Sequence, residues 1–377
     1  MRNTLSRIIL FTAFFLASLA ASAQVEVLYV TEPHNENARL ATYNVDPNTA
    51  IARRVGRPIE VGSQSVVPLT VGRKHVIYVW NSSDIWVYKT DAAGVPHHHP
   101  LQHLSFNFSN PVNTFLVDPD GKFAYAAVVS TDPAGYDNAL MMLFTIDPLD
   151  GKLTDTSTVA GTYGPGLDAI LTGFMFGASG QHLYAASHTL FNSECYDPGY
   201  LYNVVDQNTG LLTPPATWLG VGAYCNGAQV ATTDLVSAIS SSFGGWGSGS
   251  LWMFYGNGGV IVCDKSMLEF CGDAAVDINL DPANQNIFFG DGDRNRTYVG
   301  RLEFVLASRH SGTIRPTPVS IPGTPPIFFS PDSRLVYALD ADDIGIYAFQ
   351  PNNGDLTAHS SLPTTGSVTI ATTVLPD

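Results

Sequence analysis

The stretch Phe115-Leu-Val-Asp-Pro-Asp-Gly-Lys-Phe-Ala-Tyr-Ala-Ala127 joins two short apolar segments through an Asp-Pro-Asp-Gly turn. A second stretch, Met142-Leu-Phe-Thr-Ile-Asp-Pro-Leu-Asp-Gly-Lys-Leu153, joins two more apolar segments in the same way. Short apolar segments bounded by Pro, Asp and Gly are typical of β-strands connected by tight turns. Together the two stretches predict one antiparallel unit of four strands.

This unit recurs along the chain. Similar phrases occupy residues 176–212 and 328–356, and an aromatic residue marks the second strand at Tyr29, Tyr78, Tyr125, Tyr184, Phe288 and Tyr337. Successive aromatics lie roughly fifty residues apart, as in repeat folds, except for one gap of twice that length. We assign a degenerate copy to Val230–Cys263, with Leu235–Ile239 as its second strand. The repeat is therefore predicted to occur seven times.

A lone four-stranded sheet cannot bury both of its faces, but sheets stacked in a ring can. The first copy begins at Val27 on a second strand, and Val368–Asp377 resembles a first strand with nothing after it. We therefore expect an all-β, seven-bladed β-propeller with four antiparallel strands per blade, whose first blade is completed by the C-terminal strand.

The N-terminus has the features of a signal peptide. Arg2 and Arg7 precede the apolar run Ile8–Ala20, and small residues at Ala21 and Ala23 form a cleavage pattern before Gln24. We expect residues 1–23 to be removed, residues 24–377 to form a single propeller domain, and the protein to be periplasmic or extracellular. No later segment is long and apolar enough to predict a membrane span.

Net charge bears on the binding partners, and cysteine content bears on disulfide bonds. The formal net charge of −15 disfavours binding to nucleic acid. An exported chain can oxidise its four cysteines, Cys195, Cys225, Cys263 and Cys271. Neighbours in sequence suggest the pairs Cys195–Cys225 and Cys263–Cys271, although four cysteines allow three pairings.

The predicted strand order separates two ends of the ring. The Pro-Asp-Gly and Asn-Gly turns lie at one end, and longer, irregular loops lie at the other. Because binding residues concentrate on long loops, we expect function at the second end. The predicted long loops are Ser130–Ala139, Ser187–Gly199, Ser240–Ser250 and Gly290–Arg296.

One predicted loop carries His188, Glu194, Tyr196 and Asp197. A histidine beside carboxylates is the residue combination of an acid–base pair that could open a lactone ring, so His188, Glu194 and Asp197 are candidate catalytic residues. The alternative is a disulfide-tethered surface loop with ordinary polar residues. Spacing alone favours the alternative because it fixes no geometry.

A second loop has alternating oxygen ligands. Asp291, Asp293 and Asn295 follow the pattern of a calcium loop, but Leu302 stands where an EF-hand has glutamate. The equivalent loop of the next copy carries Asp340, Asp342 and Asp343. The two loops are a candidate Ca²⁺ site, and the favoured alternative is a solvated acidic patch. No other cofactor is expected.

Two further features are weaker candidates. His97, His98 and His99, with His103, are predicted at the start of an outermost strand, where alternation would place His98 on the opposite face from its neighbours. This arrangement predicts adventitious metal binding only. Trp246, in a Gly- and Ser-rich loop, could stack on a sugar or peptide, or pack on its own neighbour.

The repeat resembles a known family. Tyr29-Val-Thr-Glu32 and Tyr78-Val-Trp-Asn81 are similar to the phrase of the YVTN propellers. The Asp-Pro-Asp-Gly-Lys-Phe-Ala-Tyr turn and Asn208-Thr-Gly-Leu-Leu212 resemble the lactonase-type propellers, which include propeller 6-phosphogluconolactonases and muconate-lactonising enzymes. This resemblance implies a lactone hydrolase with histidine, arginine and acidic residues in a central funnel. The His-x-His or Pro-Arg-His phrases of those enzymes are missing from the strand entries before the Pro-Asp-Gly turns, so no catalytic residue carries over.

Two functions stay open from the sequence. One is a monomeric, non-catalytic binding module that takes a small molecule, a protein or a carbohydrate at its long-loop face. The other is a lactonase-like hydrolase. The missing histidine phrases favour the binding module, and the whole-chain resemblance keeps the hydrolase as the alternative.

Overall fold

The structure is a computed structural model of the chain. It describes residues 25–375 except for 63, 65–67, 74, 107–111, 132–136, 164–167, 178–179, 192–193, 214–217, 221–228, 233–235, 243–248, 256–258, 264–274, 282–284, 292–295, 305–311, 324–325, 341, 365 and 367. For part of residues 113–358 it describes the backbone without the side chain. The predicted signal peptide lies outside the described residues.

The described residues form 28 strands and no helix, and the strands make antiparallel four-stranded sheets. Sheet 1 contains β1 (Glu26–His34), β2 (Asn37–Val45), β3 (Ala52–Val61) and β28 (Thr369–Val374). Sheet 2 contains β4 (Leu69–Gly72), β5 (Val76–Trp80), β6 (Asp84–Lys89) and β7 (Gln102–Ser105). Sheet 3 contains β8 (Val112–Val117), β9 (Phe123–Thr131), β10 (Asp137–Ile146) and β11 (Leu153–Tyr163).

The remaining sheets follow in chain order. Sheet 4 contains β12 (Asp168–Phe176), β13 (His182–Phe191), β14 (Glu194–Val204) and β15 (Trp218–Gly220). Sheet 5 contains β16 (Gln229–Thr232), β17 (Val236–Ser242), β18 (Gly249–Tyr255) and β19 (Gly259–Cys263). Sheet 6 contains β20 (Ala275–Leu280), β21 (Asn286–Asp291), β22 (Arg296–Phe304) and β23 (Gly312–Pro322). Sheet 7 contains β24 (Ile327–Phe329), β25 (Leu335–Leu339), β26 (Asp343–Gln350) and β27 (Asp355–Pro363).

The repeated turns are built by side-chain caps. Between β8 and β9, Asp118 Oδ1 accepts the backbone N–H groups of Lys122 and Phe123, each at 2.7 Å. Gly121 has a φ of +65° there, a conformation that favours glycine. A side-chain oxygen caps two equivalent turns in the same way, from Asp281 and Ser330. These contacts explain why the Asp-Pro-Asp-Gly phrase predicts the turn correctly.

The second strand of sheets 1, 2, 3, 4, 6 and 7 carries a buried aromatic residue. Tyr29, Tyr78 and Tyr125 are at most 1% exposed, and each hydroxyl donates to a glycine carbonyl of the following sheet at 2.9 Å. The accepting residues are Gly94, Gly151 and Gly210, which all have positive φ. A buried phenol needs such a partner, so these three bonds fix the spacing of successive sheets.

Apolar side chains fill the space between neighbouring sheets. Continuous clusters join sheets 1 and 2, sheets 2 and 3, and sheets 3 and 4. Others join sheets 6 and 7, and sheets 7 and 1. Sheet 5 contacts sheets 4 and 6 through β16, β17 and their neighbours. Each sheet therefore covers the faces that its neighbours would otherwise expose to water.

The two ends of the described chain meet in sheet 1. β28 pairs with β1 in antiparallel register from Glu26↔Val374 to Thr31↔Thr369. The Thr31 and Thr369 hydroxyls lie 2.5 Å apart. Residues 369–374 are therefore an edge strand of sheet 1, next to β1.

The predicted long loops are shorter than the sequence suggested, and this part of the prediction was wrong. β13 and β14 continue through most of Ser187–Gly199, with only residues 192–193 between them. Their register pairs Thr189 with Tyr196 and Leu190 with Cys195. β-Branched and aromatic residues favour strands, and this preference prevails over the polar residues between them. The other three predicted loops are likewise shortened by strands that reach Thr131, Ser242 and Asp291.

Among the described residues, no helix is long and apolar enough to span a membrane.

Candidate functional site

One edge strand of each sheet lies next to an edge strand of the neighbouring sheet. Successive contacts run through β28, β4, β8, β12, β16, β20 and β24. Side chains also link these strands: the Thr70 hydroxyl donates to the Phe115 carbonyl at 3.2 Å, and the Asn279 amide donates to the Ile327 carbonyl at 2.8 Å. The Thr372 hydroxyl of β28 donates to the Phe329 carbonyl of β24 at 3.4 Å. These contacts join the edge strands into one wall.

A cavity of about 850 Å³ opens at one end of this wall. Its lining comes from the ends of β28 and β4, and from the turns that follow β8 and β24. This is the end with the short Pro-Asp-Gly turns, opposite to the end where the sequence predicts the binding loops. Its volume lies in the range of small-molecule sites. The lining residues are Tyr29, Val71, Gly72, Arg73, His75, Val76, Val117, Asp118, Pro119, Pro331 and Thr372–Leu375.

Two polar residues of the lining are occupied by structural roles. The Tyr29 hydroxyl donates to the Gly94 carbonyl, and Asp118 Oδ1 accepts two backbone N–H groups of its own turn. Burial raises the pKa of Asp118 because water no longer solvates its charge, and the turn N–H groups offset part of this effect.

Arg73 and His75 are the basic side chains of the lining. Arg73 is exposed, and its guanidinium lies 3.6 Å from the Asp120 carboxylate of the neighbouring turn. His75 is half-buried, and its φ of +58° lies in the left-handed region that non-glycine residues rarely adopt. This backbone conformation costs free energy, and such strain is common where a side chain has a functional role. Neither Arg73 nor His75 belongs to a motif that predicts a site, although the basic segment Gly72-Arg-Lys-His75 stands where other repeats have a Pro-Asp-Gly turn.

The cavity lining combines aliphatic side chains with the basic side chains of Arg73 and His75. The aliphatic side chains in the lining include Val71, Val117 and Val374. A small molecule with an apolar body and an anionic or carbonyl oxygen would match these walls and the Arg73 guanidinium.

The backbone places the predicted catalytic residues on a hairpin. His188 lies on β13, and Glu194 and Asp197 lie on β14. Phe191 pairs with Glu194, and a register shift separates the Ser187 and Thr189 pairs. The side chains of these three candidates lie outside the described part of the structure. Their role as an acid–base pair stays a prediction.

The predicted calcium ligands are only partly described. Asp291 ends β21, and Asp293 and Asn295 lie outside the described residues. In the equivalent loop, the Asp340 N–H donates to the Asp343 carbonyl at 2.9 Å and closes a tight turn, with Asp340 and Asp342 exposed. Within the described residues, no three His, Cys, Asp or Glu side chains converge as a metal site would require. The Ca²⁺ site stays a prediction.

The histidine cluster is arranged differently from the prediction. Residues 97–100 form a bend before β7 rather than the start of that strand, and the rings of His98 and His99 stack 5.0 Å apart instead of pointing to opposite faces. His103 lies on β7, where its Nε2 is 2.9 Å from Asp84 Oδ1 and its ring stacks on Trp86. Pro100, which cannot donate a ladder hydrogen bond, explains why the strand begins later.

Several other predicted features fall outside the described structure. Trp246, Cys225 and Cys271 are not described, and Cys195 and Cys263 are described only as backbone positions on β14 and β19. The predicted disulfide pairs therefore stay predictions.

Comparisons with known proteins identify the fold. No family model and no curated protein matches the chain. Among solved structures, the chain is similar to two proteins provisionally assigned as 6-phosphogluconolactonases. One, from Bacteroides fragilis, has a TM-score of 0.62 at 14% identity, over 94% of this chain and 99% of that chain. The other, from Bacteroides uniformis, has a TM-score of 0.64 at 14% identity, over 93% and 100%.

A third similar structure is the Dos1 propeller, with a TM-score of 0.52 at 10% identity over 88% of this chain and 77% of that chain. At such identities the likeness concerns the fold and not the chemistry. It agrees with the antiparallel four-stranded sheets, the buried second-strand aromatics and the capped turns described above. The chain has the fold of the lactonase-type β-propellers.

Proposed function

We propose that the protein is an exported, monomeric, seven-bladed β-propeller that binds a small organic molecule in its central cavity. The observation that carries the proposal is the 850 Å³ cavity, which draws its walls from sheets 1, 2, 3 and 7 and places Arg73 at its mouth. In this view the seven sheets are the blades, and the pairing of β28 with β1 closes the ring.

The ligand class follows from the lining. Arg73 and His75 provide donors for a carboxylate, phosphate or lactone carbonyl, and the valines provide apolar contact. We propose a sugar acid or sugar lactone as the first class to test. Calorimetric titration with a panel of aldonic acids and aldonolactones should give saturable binding. Arg73→Gln should weaken it by at least about tenfold, because a charge-assisted hydrogen bond is lost.

Arg57→Gln provides the matched control, since Arg57 is an exposed arginine on the outer strand β3, away from the cavity. Equal affinity of wild type and the Arg73 variant would exclude the cavity as the site. In that case the long-loop face, where the sequence predicts a small-molecule, protein or carbohydrate ligand, becomes the next candidate.

A lactone hydrolase is the second candidate, supported by the whole-chain similarity to the two provisional 6-phosphogluconolactonases. Hydrolysis assays on the same lactone panel separate the two functions. Turnover that is abolished by His188→Ala would overturn the binding-only proposal. Binding without turnover in wild type would support it.

Export, ring closure and calcium binding each have a direct test. N-terminal sequencing of the exported protein should begin at Gln24. Truncation after Gly366 should abolish cooperative unfolding because it removes the inner strand of sheet 1, whereas removal of residues 376–377 alone should not. Titration with millimolar calcium should raise the melting temperature if the predicted acidic loops bind it, and an unchanged melting temperature would remove that site.

A further inference from the structure

The junction between sheets 7 and 1, which we call the seam, contains a buried carboxyl group. Glu26 is 1% exposed and lies at the start of β1, opposite Val374 of β28 and Val45 of β2. Tyr337 of β25 is fully buried, and its hydroxyl donates to Glu26 Oε1 at 2.7 Å. A buried glutamate is rare unless it is paired, and no cation forms an ion pair with this one among the described residues.

The surroundings of Glu26 disfavour its charge. Its second oxygen, Oε2, is buried and has no hydrogen-bond partner among the described residues. Burial raises the pKa of Glu26 from 4.5 to about 8. The Tyr337 hydrogen bond and the Arg334 charge oppose this shift, and Asp332 reinforces it by repulsion. At neutral pH the carboxyl is therefore mostly protonated in the folded state.

The apolar residues around the pair belong to both sheets. Leu28 and Val30 of sheet 1 pack with Ile344 and Ile346 of sheet 7 in one cluster. Burial of a neutral Glu26–Tyr337 pair in this cluster costs little free energy. Burial of an ionised carboxylate with one unpaired oxygen is strongly disfavoured there. Separation of the two sheets would expose the carboxyl to water, where it ionises freely.

We propose that Glu26 and Tyr337 form a pH-sensitive latch that holds sheets 1 and 7 together most tightly in acidic solution and loosens as the solution becomes alkaline. The charged and titratable groups that bear on Glu26 are Tyr337 on β25, and Asp332 and Arg334 in the turn between β24 and β25. Arg334 and Asp332 pair with each other at 3.8 Å. Tyr337 stays protonated over this range because its pKa is raised well above 10.

The direction of the effect follows from the two protonation states. Between about pH 4.5 and 8 the closed seam keeps the proton on Glu26, whereas the opened seam releases it. Each unit of pH in that range should therefore favour opening by about tenfold, and the change should level off above pH 8. The latch also borders the proposed binding cavity, because Pro331 and Val374 lie on its two sides and line that cavity.

Hydrogen–deuterium exchange of the full-length protein tests the latch directly. After correction for intrinsic exchange rates, peptides from β1, β25 and β28 should lose on the order of a hundredfold protection between pH 5.5 and pH 8, and peptides from β8 and β9 should not. Glu26→Gln, which cannot ionise, should abolish the pH dependence at the seam. Glu36→Gln, at an exposed turn between β1 and β2, is the matched control and should behave like wild type.

Wild-type seam peptides that keep equal protection at both pH values would overturn the proposal, even if the Gln variant failed to fold. The same pH response in wild type and Glu26→Gln would also overturn it. Neither outcome depends on a ligand, so failure of the latch is distinguishable from failure of the proposed binding function.

Discussion

Equivalent tyrosines have different hydrogen-bond acceptors at the interior junctions between sheets and at the seam between sheets 7 and 1. Tyr29, Tyr78 and Tyr125 donate to backbone carbonyls of positive-φ glycines, so their acceptors never titrate. At the seam Tyr337 donates instead to the Glu26 carboxyl. The repeat therefore keeps the donor, and the acceptor determines whether the junction responds to pH.

The difference begins in the turn that faces each tyrosine. In sheets 2, 3 and 4 this turn presents a glycine, and a Cβ at Gly94 would lie 3.1 Å from the Tyr29 hydroxyl oxygen. In sheet 1 the same position is Ala50, which is fully buried and has a φ of +56°. The Ala50 carbonyl accepts a hydrogen bond from the Ser360 hydroxyl. Tyr337 therefore uses a side-chain acceptor.

Replacement of Glu26 by Gln should produce the largest effect. At pH 8 we expect the variant to be more stable than wild type, with a free energy of unfolding larger by on the order of 3 kcal/mol. The reason is that unfolding of the wild type is favoured by ionisation of Glu26. Below about pH 4.5 this advantage should vanish, since both folded and unfolded wild type then hold the proton. Urea denaturation at pH 5 and pH 8 measures the difference. Equal effects at both pH values would show that Glu26 does not titrate between the two states.

Replacement of Gly151 by Ala should break an interior junction. The added Cβ would lie 2.5 Å from Val76 Cγ2 at a φ of +79°, so the variant combines a steric clash with backbone strain. We expect a loss of about 3 kcal/mol in the free energy of unfolding. Gly366→Ala separates the two causes, because its φ is +88° but the nearest described atom to the added Cβ, Pro33 Cγ, is 3.8 Å away. Equal losses in the two variants would mean that the clash is relieved without cost.

The interior junctions could be predicted from the sequence far better than the seam or the cavity. Asp118, Gly121 and the second-strand tyrosines belong to a phrase whose turn chemistry is local, so the strands and their order follow from it. The partner of Glu26 lies 311 residues away in the chain, and no local pattern marks it. The only sign in the sequence is a lone acidic residue in the apolar stretch that begins at Val25.

The cavity also escaped prediction for a non-local reason. Its wall combines Arg73, Pro331 and Thr372, which come from three separate repeats. The prediction of a loop at Ser187–Gly199 was wrong for a local reason. The polar residues of this segment indicated a loop, but Thr189, Leu190 and Tyr196 favour a strand. Local composition thus located the turns correctly but misplaced the ends of the β13–β14 hairpin.

Removal of a tyrosine hydroxyl should distinguish the two kinds of junction with a smaller change in the free energy of unfolding than the two preceding substitutions. Tyr78→Phe leaves the Gly151 carbonyl without its donor, and we expect a loss of about 1 kcal/mol that is the same at pH 5 and pH 8. Tyr337→Phe should cost more at pH 8 than at pH 5, because the hydroxyl stabilises the ionised form of Glu26 and lowers its pKa. Melting temperatures of the two variants at both pH values give the comparison. A pH-independent penalty at Tyr337 would place the seam in the same class as the interior junctions.

Replacement of Ala50 by Gly should have the smallest effect. The change relieves a positive φ, but it also removes a buried methyl group, and it gives the unfolded chain more freedom. These contributions are each about 1 kcal/mol and oppose one another, so the free energy of unfolding should change by less than about 1 kcal/mol. The reverse change in an interior junction, Gly94→Ala, should destabilise more, since its Cβ would press on Tyr29 and Val27 at 3.1 Å. If neither variant changed the free energy of unfolding, the residue in the turn would not determine which group accepts the tyrosine hydrogen bond. The Tyr337–Glu26 hydrogen bond at the seam would then need a cause elsewhere in sheet 1.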